Sequence, residues 1–205
     1  MTLARRRRKR LFDLTLAVLA LPVVLPLIVL VWLAVALVQG RPWFYGGERM
    51  HSPTRSFRMW KFRTMEAEAG DHGITAGHKR AWITPLGQIL RRCHADELPQ
   101  IWNVLRGDMS FVGPRPPLRE VVAHFPQLYA QVLASPPGIT GLASVQFAQK
   151  EARLLARCRT AEEARRIYDQ ACVPEKARLD LLYQRQASWR LDLALIWQTL
   201  SGGIA

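Results

Sequence analysis

From Leu14 to Val38 the chain runs for twenty-five residues without an Asp, Glu, Lys or Arg. At about 1.5 Å per residue this makes roughly 37 Å of helix, enough for a hydrocarbon core about 30 Å thick. Six consecutive basic residues, Arg5 to Arg10, precede it. A cleaved signal peptide would have a shorter apolar part ending in small residues, so that reading is rejected. Pro22 and Pro26 stand one turn apart inside the run. Each removes a backbone donor and crowds the preceding turn, which predicts a bend. Arg41, Arg49, Arg55, Arg58, Lys61 and Arg63 follow the run, so the positive-inside rule draws both flanks to the cytoplasm. A helix-break-helix that enters and leaves by one face satisfies both flanks; a bent ordinary span is the alternative.

Beyond Gln39-Gly40-Arg41-Pro42 the pattern shortens. Trp43-Phe44-Tyr45 and Phe57-Arg58-Met59-Trp60 predict two strands around a turn through Gly46-Gly47 and Ser52-Pro53. Their aromatic rings suit a core or an interfacial belt. Lys61-Phe62-Arg63 alternates, which in a strand puts both cations on one face, as a solvated edge strand also would. Glu66 to Arg80 is polar and glycine-rich and reads as a mobile loop. Thr84-Pro85 opens a helix whose apolar face is Leu86, Ile89 and Leu90 and whose last turn carries Arg91 and Arg92. A helix is expected over Leu118 to Ala134, a turn over 136–141 and an extended run to Phe147. Thr160 and Glu163 form a capping box opening a helix through Ala171. Another helix starts near Pro174, and Ser188 caps a last one ending near Gly202. Its stripe of Trp189, Leu193, Ile196, Trp197 and Leu200 fits a buried core or the bilayer surface.

The formal net charge of +13 calls for an anionic partner: lipid headgroups, nucleic acid or a phosphorylated substrate. Cys93, Cys158 and Cys172 make no C-x-x-C pair, which fits a reducing cytoplasm. The five histidines lack zinc-site spacing with cysteine, so no structural zinc is expected.

The densest chemistry lies in Arg92-Cys93-His94-Ala95-Asp96-Glu97-Leu98-Pro99-Gln100-Ile101-Trp102-Asn103. Two adjacent carboxylates begin an apolar, helix-like run, where backbone N–H groups and the helix dipole favour the ionised acid. Asp96 as an N-cap and Glu97 as a first-turn acid would be a sufficient structural account. Leu105 to Pro116 follows as a rigid turn presenting Arg115. An anionic nucleophile, oxygen ligands and guanidinium groups together point to chemistry on phosphate.

Asp96 to Gln100, Asn103-Val104-Leu105, Gly107 to Ser110 and Val112 to Pro116 resemble the core signature of bacterial sugar transferases. These are the monotopic phosphoglycosyl transferases that act on polyprenyl phosphate. Lys61 to Met65, Pro137 to Gly141 and Lys9 to Asp13 extend the resemblance, in order, over nearly the whole chain. It implies a mostly helical α+β fold: a re-entrant membrane helix-break-helix over residues 1–40, then a small cytoplasmic transferase domain over 41–205 with a short β-hairpin and amphipathic interfacial helices. It places the protein at the bacterial inner membrane, its catalytic domain on the cytoplasmic face. The reaction implied moves a phosphosugar from a nucleoside diphosphate sugar, with UDP as the expected carrier, to polyprenyl phosphate through an aspartyl intermediate, initiating glycoconjugate assembly. By this resemblance Asp96 is the nucleophile and Glu97 a metal ligand or acceptor activator, with Asp96 and Glu97 together holding Mg²⁺. Lys61, Arg63, Arg91 and Arg115 are phosphate contacts, and Pro22 and Pro26 form the membrane break. Anionic lipids are expected partners and a homodimer is left open.

The chain departs from the family at Leu25, Gly47, His94-Ala95, Pro136, Leu142 and Ser144. Leu25, Pro136, Leu142 and Ser144 motivate a competing reading as a catalytically silent scaffold. A membrane-anchored nucleic-acid-binding protein is the other, but no nucleic-acid-binding signature appears and nucleic acid is not an expected partner.

Overall fold

The computed structural model describes residues 3–66 and 82–202. Apart from Glu66, the loop expected over 66–80 lies outside the described residues.

Helix α1, Leu3–Val38, runs unbroken through Pro22 and Pro26, so the helix-break-helix expected over residues 1–40 is a single helix here. The basic run is thus its first turns. Beyond Asp13 its residues are apolar nearly all round, yet one stripe alone meets the rest of the protein. Ala17 and Val35 are fully buried, and Ala20, Leu21, Val24, Ile28, Val31 and Trp32 pack partly beside them. The spacing is that of one helix face. Leu19, Val23, Leu30 and Leu37, on other faces, are exposed. The helix is therefore an apolar rod lying along the body, with most of its circumference uncovered.

Strands β1, Phe44–Met50, and β2, Ser56–Phe62, pair antiparallel from Phe44 with Phe62 to Met50 with Ser56. The expected hairpin exists, but Gly46-Gly47 lies within β1 and not in the turn. The Arg58 side chain crosses Gly46 so closely that a Cβ there would collide with its Cγ and Cδ. Met65 and Ile83 form an isolated bridge, and then α2, Pro85–Arg92, starts as expected: the Thr84 hydroxyl accepts from Gly87 N at 2.9 Å.

A single 3₁₀ turn, Ala95–Glu97, precedes α3, Gln100–Arg106. Asp96 is thus not the N-cap of an α-helix; Pro99 holds that position in α3. Strand β3, Ser110–Val112, pairs parallel with β4, Gly138–Thr140, inside the segment expected to be only a turn. The pairing needs glycine, since a Cβ on Gly138 would strike the Gly113 backbone.

The helix expected over 118–134 is divided into α4, Arg119–His124, and α5, Pro126–Val132. Phe125, held off the helical region ahead of a proline, divides them. The run expected to be extended as far as Phe147 is the start of α6, Leu142–Ala156, because Leu142, Ala143 and Phe147 bury on one helix face. Helix α7, Ala161–Ile167, is capped by Thr160, whose hydroxyl accepts from Glu163 N at 3.1 Å, while Glu163 Oε2 accepts from Arg159 N, one residue before the cap, instead of closing the expected box on Thr160 N. It continues through a π-helical turn, Tyr168–Cys172, into α8, Val173–Gln186.

Helix α9, Trp189–Leu200, is capped by Ser188 and turns Asp192 and Leu195 inward. Trp189, Leu193, Trp197 and Leu200 stay exposed, and Ile196 packs partly. The expected stripe is therefore not core. The inner face is set by a buried polar cluster: Lys9 Nζ lies 2.8 Å from Asp192 Oδ2, and the Tyr183 hydroxyl donates to Asp192 Oδ1 at 2.6 Å.

Candidate active site at the foot of the apolar helix

The acid pair is set by three elements. Asn103 of α3 clamps the helix to β2, its side-chain oxygen accepting from Trp60 N at 3.1 Å and its amide donating to Arg58 O at 2.8 Å. The next residue along β2 is Lys61. Ala95 and Leu98 flank the acids and pack with Phe62, Leu90 and Val35, beside Ile28, Val31 and Trp32 of α1. The 3₁₀ turn is entered from His94 in the left-handed region at φ 55°, which lets the chain turn sharply between α2 and the acids.

Lys61 Nζ sits 2.5 Å from Glu97 Oε1 and 3.9 Å from Asp96 Oδ2, so one ammonium serves both carboxylates. Burial raises the Asp96 carboxyl above the usual carboxylate range; Lys61, Arg91 and His94 pull it down, and Glu97 pushes it further up. This corrects the expectation that a helix terminus favours its ionised form. Burial pushes Glu97 up as well, but Lys61 and Arg115 outweigh it and leave Glu97 below its ordinary value. Lys61 is itself lowered, chiefly by burial. Neighbouring carboxylates with pKa values pushed apart are suited to different roles, Glu97 as a standing anion and Asp96 as the more basic oxygen.

Arg91 acts on Asp96 and donates to the Thr64 hydroxyl at 2.8 Å; Arg115 acts on Glu97 and Lys61. Three of the four expected cations thus gather at the acids. Arg63 has a different attachment. Strand β2 ends at Phe62, and the Arg63 guanidinium donates to Gln39 O and Gly40 O at the end of α1. Alternation predicts one face for Lys61 and Arg63; the strand's end separates their partners. His94 and Asn103 were not among the expected site residues, although both lie in the motif. A positive φ and a side chain bridging two backbones leave no mark on composition or periodicity.

Asp96 and Glu97 supply oxygens that converge on a single cation, Lys61 Nζ, and among the described residues no cluster of three His, Cys, Asp or Glu could hold a metal ion. Asp96 and Glu97 are the residues that would hold Mg²⁺, an ion that uses one or two carboxylates and takes its other ligands from phosphate and water.

The family model for bacterial sugar transferases matches residues 4–204. The chain belongs to that family. As a bacterial sugar transferase it is 36% identical to the undecaprenyl-phosphate glucose phosphotransferase of Komagataeibacter xylinus, over 94% of this chain and 35% of that protein. It is 42% identical to the UDP-glucose:undecaprenyl-phosphate glucose-1-phosphate transferase of Xanthomonas campestris pv. campestris, over 67% and 29%. With the UDP-N-acetylgalactosamine-undecaprenyl-phosphate N-acetylgalactosaminephosphotransferase of Aeromonas hydrophila the identity is 36%, over 67% and 33%. The chain thus spans about a third of the length of these three relatives. The region shared with the first contains both the apolar helix and the acid pair, so this bacterial sugar transferase carries its membrane-compatible helix and its candidate site in one unit.

Proposed function

We propose that this bacterial sugar transferase moves a sugar 1-phosphate from a nucleoside diphosphate sugar, a UDP-sugar by the names of its relatives, to undecaprenyl phosphate. The observation that carries this reading is the pair of acids sharing Lys61 and flanked by Ala95 and Leu98, which pack with Val35 of α1.

In the first step an Asp96 carboxylate oxygen attacks the sugar-linked phosphorus. The bond from that phosphorus to the bridging oxygen breaks, and nucleoside monophosphate leaves with its electron pair. An acyl phosphate joins Asp96 to the sugar. In the second step a phosphate oxygen of the lipid attacks the same phosphorus, the aspartyl bond breaks, and the carboxylate is restored. Lys61, Arg91 and Arg115 screen the approach of anion to anion, while Glu97 keeps Lys61 in place. Mg²⁺, held by Asp96 and Glu97, would supply further neutralisation of phosphate charge.

The membrane reading is that α1 enters and leaves the inner membrane by its cytoplasmic face, bending at Pro22 and Pro26. Charge on both flanks supports it, as does the attachment of both helix ends to one body: Lys9 to Asp192 at the start, Gln39 to Thr84 and Arg63 at the end. The exposed row of Trp189, Leu193, Trp197 and Leu200 suits the headgroup boundary. The site then lies at the depth of a lipid-borne phosphate, with anionic lipids meeting the exposed Arg7 and Arg8 of the basic run.

The test is to trap the adduct by adding donor without lipid acceptor and to map it by mass spectrometry. A phosphosugar on Asp96 is expected; one on another residue, or none despite nucleoside monophosphate release, overturns the mechanism.

A further inference from the structure

The basic run at the head of α1 is not one uniform surface. Arg7 and Arg8 are exposed. Arg6 and Arg10, one turn apart and so on one helix face, instead reach across to the body. With Lys9 and Asp13 they line a cavity of about 120 Å³, walled by the Gly107 turn after α3 and by residues 133–136 after α5. Arg6 is exposed and Arg10 half-buried, so the cavity opens to the outside.

The charge around this cavity is not balanced. Arg6 donates to Ala134 O at 2.6 Å, and Arg10 donates to Val104 O and, at 2.7 Å, to Leu105 O. These partners are main-chain carbonyls, and among the described residues neither guanidinium has a carboxylate partner. Asp13 is the acid in the lining, and Lys9, 3.7 Å away, already answers its charge. Like charges at i and i+4 repel, and an anion between them would turn that repulsion into attraction. The space is several times what a single water requires.

We infer that this cavity holds the phosphate of an anionic membrane lipid, clasped between Arg6 and Arg10. Guanidinium groups offer paired N–H donors that match phosphate oxygens, and such charge-assisted bonds are the strong ones. Position favours a lipid over free phosphate as the source. Arg10 stands four residues, about 6 Å along the helix, before Leu14, where the apolar run begins. A phosphate at Arg10 therefore lies at headgroup depth, with its acyl chains beside the uncovered circumference of α1. Arg10 also bonds the last carbonyls of α3, the helix that follows the acid pair, so the lipid would brace the framework of the site without entering it. The inference rests on the reading of α1 as membrane-seated and does not depend on which sugar is transferred.

The experiment titrates the full chain, in a neutral detergent at physiological salt, with short-chain phosphatidylglycerol, short-chain phosphatidylcholine and inorganic phosphate, read by calorimetry. A single saturable site for phosphatidylglycerol is expected. Phosphatidylcholine, whose ammonium meets the two guanidinium groups, and inorganic phosphate, which has no chain to lay against α1, should each bind at least about tenfold more weakly. Arg6→Gln should weaken phosphatidylglycerol binding on the order of tenfold. Arg7→Gln combined with Arg8→Gln removes more charge, but outside the cavity, and should change it less than about threefold. Arg6→Lys, which keeps the charge and loses the fork, carries the comparison if Arg6→Gln does not fold, with an intermediate loss expected. Absence of a saturable site overturns the inference, as does equal weakening by the Arg7 and Arg8 changes. Inorganic phosphate or phosphatidylcholine binding as tightly as phosphatidylglycerol overturns the anionic lipid as its occupant. Failure of the wild type to float with vesicles of phosphatidylglycerol and phosphatidylcholine overturns the membrane reading beneath it.

Discussion

Lys9 Nζ lies 2.8 Å from Asp192 Oδ2, joining the first helix of the chain to the last in a site where both side chains are almost wholly buried. Asp13 completes the cluster 3.7 Å from Lys9 and accepts from Phe111 N, which ties in β3. The entry end of an apolar helix is thus fixed to the body that carries the acids. Removing Lys9 leaves two buried carboxylates facing one another. Lys9→Met is expected to cost about 3–5 kcal/mol, and Lys9→Met with Asp192→Leu to recover part of that loss, read as the thermal midpoint in nanodiscs.

If both ends of α1 face the cytoplasm, cysteines introduced at Arg7 and Arg41 share one side of the membrane. In sealed inside-out vesicles an impermeant maleimide should label both. Labelling of one alone would make α1 an ordinary span.

Asp96→Asn should abolish nucleoside monophosphate release and adduct formation while leaving the midpoint and membrane association unchanged. Glu97→Gln frees Lys61 from its closest partner and should lower kcat by about 100-fold or more, with its fold retained.

Raising the Asp96 carboxyl above its ordinary value has a kinetic consequence, since the nucleophile must be ionised. The acid limb of kcat/KM is expected above the usual carboxylate range, activity falling as pH drops through it. Lys61 lowers the Asp96 pKa, so Lys61→Gln should move that limb to higher pH as well as reduce the rate. A limb that stays in place would assign the titration to another group.

Burial pushes Asp180 up to about 7, against the pull of Lys176. A carboxyl raised on folding favours the native state below its unfolded pKa, and that contribution is lost as pH rises through the folded value. The wild-type midpoint should therefore decline from pH 5 to pH 8. In Asp180→Asn the decline should be smaller by several degrees, on the order expected for a few kcal/mol.

The sequence by itself determined the apolar helix, the hairpin, the Thr84, Thr160 and Ser188 caps and the identity of the acid pair. These depend on composition, on periodicity and on residues within a turn of one another. Tertiary structure decided the rest. Val145 and Phe147 suit a strand, yet Leu142, Ala143 and Phe147 gain more by burying one helix face. Asp96 stands where a cap would be ionised, but its neighbours Ala95 and Leu98 pack against Val35 and Phe62, and burial raises its carboxyl. Lys61 and Arg63 alternate in sequence, and only the end of β2 sends one to the acids and the other to the end of α1. Lys9 and Asp192 are 183 positions apart, and no local pattern announces their meeting. Burial and long-range pairing depend on what the chain packs against, and a linear pattern does not carry that information.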